Sequence, residues 1–235
     1  MNPQARIGLI IPSSNRLAEP QFQRHAPPGV AVHTARLRMT GKWHRPLDEL
    51  APALEEAAAA LGDTSPGVIV FNCTANSMEG GLAGEARVLE IVRTASGCPA
   101  LTTGRAILEA LDHLRIKRPV LISPYAAATN QHEIRFLHEA GVDVVHDIGL
   151  GLSGGGDAYT AVTPERWKAI ALENRRAEAD GYFLSCTNTT MIEVIDELEA
   201  SLDRPVVTSN QAALWAALGR LEMARPIAGL GRLFF

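Results

Sequence analysis

The hexapeptide Phe71-Asn72-Cys73-Thr74-Ala75-Asn76, with its echo Ser185-Cys186-Thr187-Asn188, decides how this chain is read. Each comes after a short apolar run, over residues 67–71 in one case and 181–184 in the other, and each precedes a helix-favouring segment. A brief apolar run bounded by turn signals reads as a buried strand. Each cysteine is therefore expected where a strand ends and a helix begins. There the unpaired N–H groups and the positive end of the helix dipole favour a thiolate, drawing its pKa below about 8.5. Two such thiols in one small chain suggest a pair that works on one substrate.

Outward from these motifs the pattern repeats. Strands are expected over residues 6–12, 30–37, 68–71 and 100–102, then again over 119–123, 142–147, 181–184 and 205–208. Helices are expected over 47–61, 82–94 and 104–114, then over 127–140, 164–179, 190–201 and 210–221, with Pro164 at a favoured first helical position. Pro12 and Pro124 are 112 residues apart and Cys73 and Cys186 are 113 apart, so the chain reads as a duplication. A second echo links Cys98-Pro99-Ala100-Leu101-Thr102-Thr103 with Arg204-Pro205-Val206-Val207-Thr208-Ser209. Short buried strands alternating with helices of this length form parallel, helix-covered sheets, and such folds bind ligands outside the carboxyl ends of their strands. Two halves facing each other would bring Cys73 and Cys186 to opposite walls of one cleft.

Composition narrows the ligand. The net charge of -4 provides no basic field for a polyanion, so nucleic acid is disfavoured and small solutes are favoured. Residues 1–12 lack the features of a signal peptide, and no apolar run approaches the roughly 20 residues needed to span a bilayer. Three cysteines fit a reducing compartment better than a disulfide framework. A soluble, cytoplasmic protein with free thiols is expected, with homo-oligomerisation left open.

Other features read as structure. A lone strand-end cysteine is usually a small buried hydrophobe; the matched Cys-Thr pairs set Cys73 and Cys186 apart, and Cys98, without a partner motif, is expected to be structural. The histidines at 25, 33, 44, 113, 132, 138 and 146 show no metal-ligand spacing. Gly154-Gly155-Gly156-Asp157 lies in an expected mobile loop over 150–160 and lacks the dinucleotide fingerprint. Residues 39–45, with Trp43 and His44, read as a surface loop or a lid. Trp215 reads as core. Ser13-Ser14-Asn15, just past the first strand, suits either a turn with a helix cap or an anion-binding loop.

Pro12-Ser13-Ser14-Asn15, Asn72-Cys73-Thr74, Tyr125 after a strand and Ser185-Cys186-Thr187-Asn188 together resemble the aspartate/glutamate racemase superfamily, and within it the maleate cis-trans isomerase and arylmalonate decarboxylase branch. The likeness covers essentially the whole chain. It implies an α/β protein of two pseudo-symmetric domains, each a four-stranded parallel sheet flanked by helices, with an active site in the cleft between them and neither cofactor nor metal. The domains would comprise residues 1–98 with 209–235, and 99–208, the C-terminal helix returning to the first. By matching motifs, Cys73 is the thiolate nucleophile or base and Cys186 the second acid/base thiol. Ser14, Asn15 and Tyr125 would bind a substrate carboxylate, with donors from Thr74, Thr187 and Asn188 stabilising enolate-like charge.

Three chemistries fit that resemblance: thiolate addition and rotation in a cis-alkene dicarboxylate, two-base racemisation of an amino acid or hydantoin, and arylmalonate-type decarboxylation. Cys73 stands where the decarboxylase branch carries glycine, which disfavours the last. The opening Pro-Ser-Ser-Asn is closer to maleate isomerases than to amino-acid racemases and points to isomerisation. Asp157 departs from the isomerase pattern and would repel a dicarboxylate if it pointed inward. The non-enzyme alternative is a small-carboxylate-binding module that uses the same cleft.

Overall fold

The computed structural model describes residues 3–38, 46–153 and 156–235. The first half runs through β1 (Ala5–Pro12), α1 (Ala18–His25), β2 (Val30–Leu37), α2 (Leu47–Gly62), β3 (Val68–Phe71), α3 (Thr74–Met78), α4 (Gly81–Ser96), β4 (Ala100–Thr102) and α5 (Thr103–His113). The second runs through β5 (Pro119–Ser123), α6 (Ala127–Glu139), β6 (His146–Gly149), α7 (Gly156–Thr160), α8 (Pro164–Glu173), β7 (Gly181–Leu184), a 3-10 turn at Met191–Val194, α9 (Ile195–Leu202), β8 (Val206–Thr208) and α10 (Ser209–Arg220). Trp43, His44, Gly154 and Gly155 lie outside the described residues.

The strands form two four-stranded parallel sheets, ordered β2-β1-β3-β4 and β6-β5-β7-β8. Strand for strand the two orders correspond, so the duplication in the sequence is a duplication of topology. Strands β3, β5 and β7 are buried along their whole length, as is β1 from Ile7 onward. Continuous apolar runs are what a sheet covered on both faces demands.

Four expectations shift. The apolar stretch over 142–147 is not itself the strand; the ladder pairs Val120 with His146 and Ser123 with Gly149, so β6 lies four residues further on. Val142 is instead buried in the core, its N–H bonded to the Leu137 carbonyl. Residues 150–160 contain a short helix, α7. Helix α8 stops at Glu173, where the Asn174 side chain donates to the Ile170 carbonyl and competes for the last turn. The domain division expected after residue 98 falls ahead of β4, whose residues pair with Ile69, Val70 and Phe71 and complete the first sheet.

Helices α5 and α10 come after the last strand of each sheet and pack on one another, and α10 also touches α1 and β3 of the first half. Their facing residues are small or aliphatic: Ala106, Ile107, Ala110 and Leu111 against Ala213, Leu214, Ala217 and Leu218, all buried. Alanines let the axes approach, and each buried Leu or Ile contributes about 1.5–3 kcal/mol. This seam holds the carboxyl ends of the two sheets in fixed relation. Among the described residues no helix is long and apolar enough to cross a membrane.

Candidate active site

Both cysteines stand just past a strand's carboxyl end. Cys73 is the N-cap of α3, in extended conformation, and is 8% exposed. Cys186 is 7% exposed and has φ of 136°, a backbone region that residues other than glycine rarely enter. That conformation costs about 1–3 kcal/mol and persists only where its surroundings over-determine it. Cys186 leads into a turn at 187–190 rather than a helix, so the expected helix N-terminus is present only at Cys73.

The surroundings that impose this conformation are a buried polar network built largely by α10. Thr208 and Gln211 form a capping box, which sets where α10 starts and turns Ser209 and Asn210 toward the site. Ser209 Oγ accepts from the Cys186 backbone N–H at 3.1 Å and from Thr74 Oγ1 at 2.9 Å, tying the two cysteine loops to one atom. Asn210 Oδ1 accepts from Asn72 Nδ2 at 2.9 Å, while its Nδ2 donates to the Thr187 carbonyl at 2.9 Å and to Gln21 Oε1. Thr103 Oγ1 donates to Asn72 Oδ1 at 2.8 Å, and Gln21 Nε2 to the Thr189 carbonyl at 2.8 Å. Every side chain in this chain of bonds is buried and partnered, the condition under which a polar network rigidifies rather than weakens a core.

A small recess opens between the halves, lined by Asn15, Cys73, Thr74, Ala75 and Asn76 from the first and by Tyr125, Thr129, Tyr159, Cys186, Thr187 and Asn188 from the second, with Pro12 at its edge. The fold thus assembles seven of the eight expected site residues around one space. Asn15 follows the turn-and-cap reading of its loop, since Oδ1 accepts from the N–H groups of Leu17 and Ala18 at the start of α1, and Nδ2 donates across the cleft to Thr187 Oγ1 at 2.9 Å. Asn188 Oδ1 accepts from the Arg16 N–H at 2.9 Å. Ser14 is the exception. It lies outside the lining, its carbonyl against Gly156 at the start of α7.

Four features escape sequence reasoning. Tyr159 sits on α7 and meets Tyr125 edge to face, ring centroids 5.8 Å apart; nothing in its local sequence marks it. Asn76 and Thr129 line the recess beside the cysteine and tyrosine already singled out. Glu133, one helical turn beyond Thr129 on the same face of α6, is fully buried behind the wall. Ser185 Oγ lies beside its carboxyl and favours the ionised form, but burial outweighs it. Asp157, conversely, points outward and pairs with Arg16, leaving no carboxylate among the described lining residues.

Electrostatics run against the expected resting thiolate. Burial pushes both Cys73 and Cys186 up to about 12, outweighing the Asn76 N–H at the first and the Tyr125 hydroxyl and Asn188 N–H at the second. Burial likewise raises Tyr125 and Tyr159 and brings Glu133 to about 8. At neutral pH both thiols are protonated and face a set of neutral donors. No lysine, arginine or histidine lines it among the described residues. A carboxylate entering would be held by amide, hydroxyl and backbone N–H groups, each bond to a charged group worth about 1.5–3 kcal/mol. Among the described residues no cluster of three or more His, Cys, Asp or Glu side chains could hold a metal ion.

The arylmalonate decarboxylase family model matches residues 7–234. The arylmalonate decarboxylase of Bordetella bronchiseptica is 28% identical over 235 residues, covering 97% of this chain and 95% of the relative. The maleate isomerase of Nocardia farcinica is 25% identical over 238 residues, covering 97% and 94%. A solved structure of the Nocardia farcinica maleate cis-trans isomerase, in a cysteine-to-serine variant with a covalently bound succinylcysteine intermediate, matches with a TM-score of 0.90 at 23% identity over 98% of each chain.

Proposed function

This chain belongs to the arylmalonate decarboxylase family, and from that premise we propose that it is a cofactor-independent isomerase that converts a small cis-alkene dicarboxylate of the maleate type to its trans form. The observation that supports this most is the pair of buried cysteines, one from each half, facing a single recess furnished with neutral hydrogen-bond donors. A decarboxylase needs one proton-donating thiol; two thiols suit covalent addition.

In this reading the substrate's carboxylates lodge against Asn15, Tyr125, Thr187 and Asn188. Cys73 passes its proton to a carboxylate of the bound substrate, which returns it when the C–S bond breaks, and its sulfur bonds to one alkene carbon, while the π pair moves to the neighbouring carbon and into its carboxylate. Donors around Thr74 and Thr187 stabilise that enolate-like charge. The former double bond is now single and rotates; the electron pair returns, the C–S bond breaks and the trans product leaves. Cys186, kept protonated by burial, is placed to lend a proton to the carbanionic carbon and to recover it. A reducing, cytoplasmic setting would keep both thiols competent.

Relationship to the Bordetella enzyme favours a second reading, decarboxylation with Cys186 as the proton donor. Proton NMR in deuterium oxide with maleate, aspartate, glutamate, hydantoins and arylmalonates separates the possibilities. Fumarate from maleate, without obligatory exchange, is expected; carbon dioxide release from arylmalonate, or deuterium entering an amino acid's α-carbon without other change, would overturn the isomerase reading.

A further inference from the structure

The two sulfurs each accept a backbone N–H but differ in their side-chain partners. Cys186 Sγ accepts, from the Asn188 N–H at 3.3 Å and from the Tyr125 hydroxyl. Cys73 Sγ accepts from the Asn76 backbone N–H and also donates, to Asn76 Oδ1 at 3.3 Å. Asn76 stands three residues beyond Cys73 on α3, so its side chain lies over the cap, and its Nδ2 points to Glu79 Oε2 at 3.5 Å, another three residues along. That second contact agrees with this orientation of the amide. Turned the other way, the amide oxygen would face a carboxylate and its N–H groups would face an S–H, leaving both pairs mismatched.

We propose that Asn76, oriented by Glu79, is a positioning residue for Cys73: its amide oxygen holds the S–H proton and the direction of the sulfur, and the thiol is released when the amide turns to offer N–H instead. This makes the two cysteines inequivalent in an otherwise duplicated scaffold, because the side chain facing Cys73 is an acceptor whereas the one facing Cys186, the Tyr125 hydroxyl, is a donor. Glu79 acts twice, as the anchor of the amide and as a negative charge that opposes ionisation of the sulfur. Among the described residues, the other titratable groups coupled to Cys73 are Glu133 from α6 and, across the recess, Cys186, Tyr125 and Tyr159.

The importance of Cys73 for turnover rests on the proposed isomerase reading; the test does not. Iodoacetamide is applied to the full chain between pH 6 and 10, and modification of Cys73 is followed by mass spectrometry of its peptide, with no substrate present. Asn76→Leu, which removes the acceptor at similar size, is expected to speed modification at pH 8 by roughly three- to tenfold, the equivalent of one neutral hydrogen bond. Glu79→Gln is expected to speed it less, and Asn76→Asp, a charged acceptor, to slow it. Loosened packing alone would speed all three variants. Uniform acceleration, or profiles for Asn76→Leu and Glu79→Gln that coincide with wild type, would overturn the proposal. Should Asn76→Leu fail to fold, opposite shifts in Glu79→Gln and Asn76→Asp decide it.

Discussion

Replacing Ser209 by alanine tests whether the α10 network aims the chemistry. Ser209 is fully buried, and its hydroxyl accepts from the Cys186 N–H at 3.1 Å and from Thr74 Oγ1 at 2.9 Å. Alanine fits the space but strands both donors. An unsatisfied buried donor costs about 1–3 kcal/mol. The Thr74 hydroxyl can rotate toward another acceptor whereas the backbone N–H cannot, so a loss of about 2–4 kcal/mol is expected. The same N–H belongs to the residue at φ 136°, so freeing it lets Cys186 relax toward an ordinary conformation and swings its sulfur out of the recess. Stability is read from urea unfolding, and turnover of maleate is read well below the unfolding transition, so that loss of folded protein does not enter. Turnover should fall at least tenfold, while Ser209→Thr, which keeps a hydroxyl, recovers much of it. An alanine variant within about 0.5 kcal/mol of wild type and equally active would refute the claim that this bond holds Cys186 in place.

Glu133 couples stability to pH. Its carboxyl is raised from 4.5 to about 8 in the fold, so between those values the native state holds a proton that the unfolded chain has lost. Stability should be greatest near and below pH 4.5 on this account and fall by up to about 1.4 kcal/mol per unit until pH reaches about 8. Glu133→Gln should flatten that slope in denaturation curves taken at several pH values; an unchanged slope would count against a buried neutral acid. Replacing Cys73 or Cys186 singly by serine should lower turnover at least a hundredfold while calorimetry still detects binding of the dicarboxylate, since the donors remain; retained turnover would dismiss the thiol mechanism. Gly181→Ala should destabilise by about 1–3 kcal/mol in urea, because a methyl group there would stand 2.6 Å from Ile116 Cδ1 at the entry to β7.

Much of this is legible from short-range pattern. Buried strands announce themselves as apolar runs because both faces of a parallel sheet are covered, and so β3, β4, β5 and β7 coincide with the stretches that predict them. At β6 the signal fails. Half-exposed β6 pairs through His146, Asp147, Ile148 and Gly149, while the more apolar valines before it serve the core. The domain boundary shifts for a related reason, since which sheet takes a three-residue strand depends on its partner rather than on its own composition.

The site divides in the same way. Residue identity and repeat spacing determine which side chains stand just beyond the strand ends, and a duplicated parallel fold obliges those ends to face one another; Cys73, Cys186, Asn15 and Tyr125 are readable for that reason. Proton state is not. A strand-to-helix junction suggests an acidic thiol, but burial decides the matter, and burial is a property of everything packed around the sulfur. Tyr159, Glu133 and Ser209 reach the site from α7, α6 and α10, and no local pattern encodes which distant helix will press against a loop. Chemistry within one turn of the backbone is written along the chain, whereas desolvation and the network that fixes two sulfurs come into being only when the halves close on each other.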